Sequence, residues 1–70
     1  MPAYRVEVTG MWRNLALQTE HPHSQVYNVA APGPLSAQVA GLQLFGGEAG
    51  RMRCLALPAA DARVLGDGMP

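Results

Sequence analysis

The chain has 70 residues, with five arginines and no lysine against five acids, so its formal net charge is zero. Neutrality argues against a protein that holds nucleic acid by bulk electrostatics. A single cysteine excludes an internal disulfide, and a chain this short buries only about 60% of its unfolded surface, so the core is thin.

With no disulfide and no Cys/His cluster for a structural metal, oligomerisation is the remaining common support for a small fold. A homodimer, or a permanent complex with something larger, is therefore expected. At 49% hydrophobic residues the chain is too apolar to be disordered. No segment approaches the length of a transmembrane helix, and Met1 to Glu7 contain no apolar run of signal-peptide length. These features lead us to expect a cytoplasmic protein with no membrane contact.

Ala3 to Thr9 alternate, with Tyr4, Val6 and Val8 against Arg5, Glu7 and Thr9, and predict a half-buried strand. Gly10 is a turn or bulge signal. Met11 to Glu20 fit a second strand, paired with the first as a hairpin; a helix lining up Trp12, Leu15, Ala16 and Thr19 is the alternative. Glu20-His21-Pro22-His23-Ser24 reads as a loop, because proline and its polar neighbours break both periods. Gln25 to Ala31, with Val26, Tyr27 and Val29, predict a third strand.

The chain is organised around Pro34 to Phe45, where Leu35, Val39, Leu42 and Phe45 recur at steps of four, three and three, an amphipathic helix stripe that Ala37, Ala40 and Leu44 widen. Pro34 suits the first helical position, where its missing N–H goes unused, and Gly46-Gly47 is a stop signal. Arg51 to Leu57 predict a fourth strand, Ala59 to Leu65 a short helix, and Asp67 to Pro70 a frayed tail. The order points to an α+β fold: a small three- to four-stranded, mainly antiparallel sheet covered by one main helix, rather than a doubly wound parallel sheet.

Candidate sites are few. His21 and His23 project the same way in an extended segment and could ligate a metal, but a third ligand at a recognised spacing is lacking, so no metal or other cofactor is expected. Cys54, in an apolar run without a cysteine-enzyme signature, reads as a buried small hydrophobe. Arg51 and Arg53 share one face of the fourth predicted strand, and Arg5 and Arg13 lie on the first two. Were those strands neighbours, the guanidinium groups would form a stripe suited to phosphate or carboxylate. Trp12 beside Arg13 has the composition of an interface anchor, and completing the core is the competing role for Trp12. Gly46 to Gly50 form no phosphate loop, because no Gly-Lys-Ser/Thr follows.

With no catalytic constellation, the expectation is a small non-enzymatic module that binds a larger protein, with Trp12, Arg13, Arg51, Arg53 and Arg5 as partner-facing residues. Its size and layout resemble those of many phage and mobile-element products that inhibit or regulate a host protein. A nucleic-acid-associated module using the arginine-bearing face is the alternative.

Overall fold

In the computed structural model, which describes residues 1–68, the elements run β1 (Ala3–Asn14), β2 (Glu20–Ala30), α1 (Pro34–Arg51), β3 (Cys54–Ala56) and β4 (Asp61–Asp67). The strands form one antiparallel sheet under a single helix, so the α+β class is as expected. β1 is its spine. On one side it pairs with β2, from Ala3 opposite Ala30 to Arg13 opposite Glu20. On the other it pairs with β4 beside Tyr4–Thr9 and with β3 beside Trp12–Asn14. β2 and β3 both run antiparallel to β1, hence parallel to each other with β1 between them, and α1 carries the chain across.

Gly10 is not a turn. Leu57 N–H donates to the Met11 carbonyl at 2.9 Å, and Asp61 lies opposite Thr9, so Pro58-Ala59-Ala60 bulge against Gly10 alone. A Cβ on Gly10 would lie 2.9 Å from Ala60 Cβ and 3.2 Å from the Phe45 ring. The glycine thus makes room for a distant segment while the strand continues through it. The hairpin turn falls later, where Asn14 Oδ1 accepts from the N–H groups of Ala16 and Leu17 at 3.0 and 2.9 Å. Such side-chain-to-backbone bonding is how asparagine nucleates a turn.

Met11–Asn14 continue β1, and Leu15 to Thr19 are turn rather than strand. His21-Pro22-His23 lie within β2 and not in a loop. The predicted fourth strand shrinks to Cys54–Ala56, because α1 extends to Arg51. Ala59 to Leu65 do not form a helix: Asp61–Asp67 pair with β1 as β4. Asp67 belongs to that strand rather than to a tail, and Met69 and Pro70 lie outside the described residues.

α1 starts as expected, with Pro34 in its first turn after Gly33, and runs through Gly46-Gly47. It stops where Arg53 takes φ 57°, the left-handed conformation usually left to glycine, with its N–H donating to the Gly50 carbonyl at 3.1 Å. Its buried residues are Ala37, Gly41, Phe45 and Ala49. From the predicted stripe Phe45 and Ala37 are buried, whereas Leu35 is 73%, Val39 50%, Leu44 42% and Leu42 38% exposed. Under the helix lie Val6, Val8, Trp12, Val29 and Cys54 from the sheet. A Cβ on Gly41 would come within 2.9 Å of Val6 Cγ1, so the small residues let the helix settle directly onto β1.

Candidate functional site

The chemically richest region is the hairpin end of the sheet, on the face under α1. Trp12 of β1 lies opposite His21 of β2, and Gly10 opposite His23, so both histidines share the tryptophan's face. The His23 ring stacks on Trp12 with centroids 3.7 Å apart and planes 17° from parallel, while His21 meets the indole edge at 6.4 Å. Phe45 closes the group from the helix, 5.4 Å from Trp12. Stacking offset by an edge contact is the arrangement that aromatic quadrupoles favour.

One turn beyond Phe45, Glu48 reaches over this cluster. Its Oε1 accepts from the Tyr27 hydroxyl at 3.4 Å and lies 3.5 Å from His23 Nε2. The His23 approach is within ion-pair range but outside hydrogen-bond geometry, so Nε2 has no hydrogen-bond partner, and neither has buried Trp12 Nε1. Burial and the neighbouring Glu48 carboxylate together push the Tyr27 hydroxyl up to about 12. Trp12, His23, Glu48, Arg51 and Met52 line an open hollow of about 350 Å³. A shallower dip of about 260 Å³, lined by Thr9, Gly10, Pro22, His23 and Ser24, contains no carboxylate or guanidinium.

The structure separates the arginines. Arg5 and Arg13 share the open face of β1, but eight residues of strand put them about 26 Å apart. Arg13 pairs with Glu20 at 3.1 Å, and on the same face Arg63 pairs with Glu7 at 2.9 Å. Arg51 ends α1 and Arg53 occupies the following turn, so neither lies on a strand. The continuous stripe therefore does not form. Trp12, only 2% exposed, is core and not available as a surface anchor. Trp12 and Arg51 do meet, at the hollow; Arg53 lies beyond it in the turn, and Arg5 and Arg13 are on the other side of the sheet.

Sequence reasoning missed Glu48 and Met52 as neighbours of Trp12, because they join it only once the helix runs on past Gly47; Phe45, expected on the apolar stripe of the helix, meets Trp12 there as well. That reasoning paired the two histidines correctly as same-facing, but the alternation His21, His23, Gln25, Tyr27, Val29, in phase with the strand, was the signal that they belong to β2. Cys54 is buried and its Sγ donates to the Met52 carbonyl at 3.5 Å. Among the described residues no three His, Cys, Asp or Glu side chains gather to hold a metal ion. Among the described residues no helix is long and apolar enough to cross a membrane.

Comparison with protein-family models, curated proteins and solved structures finds no match.

Proposed function

We propose that this chain is a cytoplasmic, non-enzymatic interaction module that binds a larger protein as a homodimer, in the manner of small phage or mobile-element regulators of host proteins. One observation carries the proposal: Leu35, Val39 and Leu42 stand exposed on one flank of α1 while the helix buries Ala37, Gly41, Phe45 and Ala49. An apolar flank left outside the core is the usual mark of a contact surface. The pairing of Arg13 and Arg63 with acids leaves little free charge on the open face for a phosphate backbone.

The test is affinity capture from host lysate with nuclease and high salt, comparing the natural chain with a Leu35→Glu/Val39→Glu variant whose circular dichroism is unchanged. A defined protein retained by the natural chain and lost by the variant supports the reading. Capture that vanishes with nuclease, or that the variant leaves intact, overturns it.

A further inference from the structure

The glycines of α1 do not all serve the fold. Gly41 lies against Val6 and Val8, but Gly46 and Gly50 are exposed, and a Cβ added to either would meet nothing within 4 Å. Glycine is the poorest helix former after proline, and its use is to let another group come close to the backbone. At these two positions nothing among the described residues makes that approach.

At about 100° per residue, Gly46 and Gly50 share one stripe with Leu35 and Val39, roughly 130° round the helix from the row that faces the sheet. The stripe is bulky over its first half and bare over its second, with Leu42 and Gln43 on either side of its midpoint. Pro34 to Gly47 contain no ionisable side chain. The charged side chains that follow turn away from the stripe. Glu48 reaches Tyr27 and His23, and Arg51 lies back along Gly47, with Nη1 3.9 Å from the place a Cβ would take there.

We propose that this stripe packs antiparallel against the same stripe of a second copy, across a two-fold axis between Leu42 and Gln43. Two separate pairings put the axis there. Leu35 falls opposite Gly50 of the copy and Val39 opposite Gly46, and both pairs are centred between positions 42 and 43. Each bulky half then fills the bare half of the other chain, alike at both ends, which is the self-complementarity that an isologous contact requires. The glycines let the two backbones approach, so that side-chain ridges settle into a groove. No like charges meet along the seam. The antiparallel arrangement also sets the positive N-terminal end of one helix beside the negative C-terminal end of the other. The proposal rests on the homodimer put forward above and supplies its surface; the larger protein then meets the paired helices rather than a single flank.

The experiment is sedimentation equilibrium on the full chain over a wide concentration range, with circular dichroism to show that each variant keeps the fold. The natural chain is expected to dimerise. Gly46→Gln/Gly50→Gln fills the bare half with side chains that the single chain has room for, and should raise the dimer dissociation constant about tenfold or more. Val39→Glu and Gly46→Lys should each weaken self-association to a similar degree. An equimolar mixture of those two chains should dimerise again, because the new carboxylate of one faces the new ammonium of the other. A monomer at all concentrations overturns the self-pairing and leaves the larger-partner reading standing, since lysate capture tests that separately. A dimer that tolerates the changes at Gly46 and Gly50 overturns the seam and leaves the homodimer standing. Two weakened chains that fail to recover on mixing overturn the antiparallel register.

Discussion

Along α1, the stripe Ala37–Gly41–Phe45–Ala49 faces the sheet, while Leu35, Val39 and Leu42 stand outside it on the flank beyond Gln38, whose Nε2 donates to the Ala62 carbonyl of β4 at 3.1 Å. By hydrophobicity alone the second stripe should be inside. The sheet decides otherwise, because Val6, Val8 and Trp12 already fill the space between the layers. Three small residues and one phenylalanine on the helix complete that volume, where a row of leucines would hold the helix off the strand. Close packing therefore selects the stripe by shape, and the larger aliphatic residues are left to water or to a partner.

The sharpest way to break this contrast is to truncate one residue from each stripe. Phe45→Ala, one helical turn from Leu42, should cost about 3–5 kcal/mol, because Phe45 is 1% exposed and touches Trp12 and the bulge over Gly10. That is a large share of the total stability of a small domain. Leu42→Ala should cost well under half as much, since more than a third of its surface is already in water. Urea denaturation of both variants decides it; equal losses would mean that Leu42 is structurally part of the core.

The helix glycines sharpen the contrast further. Gly41→Ala should destabilise by about 1–3 kcal/mol despite alanine's better helix propensity, because Val6 and Val8 must move to admit its Cβ. Gly46 and Gly50 have nothing within 4 Å of an added Cβ, so Gly46→Ala and Gly50→Ala should each raise stability by about 0.5–1 kcal/mol. The same substitution thus carries opposite signs on the two sides of one helix. A gain at Gly41 in thermal melts would show that the helix does not rest on β1 as closely as described.

These cases also explain how far the sequence carried. The alternation of Tyr4, Val6 and Val8 and the Pro34 helix start were legible because they depend on local geometry. The helix end was not, since Arg53 performs at φ 57° what Gly46-Gly47 seemed better suited to do. Exposed glycines inside a helix cost little when Phe45 and Ala49 on either side are anchored in the core. Gly10 misled for a related reason: a glycine opposite a distant bulge looks the same in sequence as one in a turn. The hollow beside Trp12 depends on both errors, so its lining could not be assembled beforehand. His21-Pro22-His23 looked like a loop because the free side of an edge strand, where proline is harmless, is a property of the sheet rather than of the segment.

On the outer flank, Leu35→Glu and Val39→Glu should each change stability by no more than about 0.5 kcal/mol, as expected for exposed positions away from caps and core contacts. A chemical denaturation midpoint unchanged within error is the expected result. A loss comparable to that of Phe45→Ala would place the flank inside the fold and remove it as a contact surface.

The smallest effect belongs to the sheet-facing side near the end of the helix, where Glu48 covers Tyr27. Because the Tyr27 hydroxyl is held at about 12, above its ordinary value of 10.0, the folded state favours the neutral phenol. The unfolded chain therefore releases that proton first as pH rises. The contribution of Tyr27 to stability is fully present below pH 10 and is lost progressively as pH rises towards about 12. Absorbance titration should show a phenolate transition near that upper value that disappears in Tyr27→Phe. Glu48→Gln should move the transition down by removing the carboxylate's share, leaving the part due to burial. A Glu48→Gln titration that superimposes on that of the natural chain would mean that Glu48 does not reach over the cluster, and that the hollow beside Trp12 lacks its acidic wall.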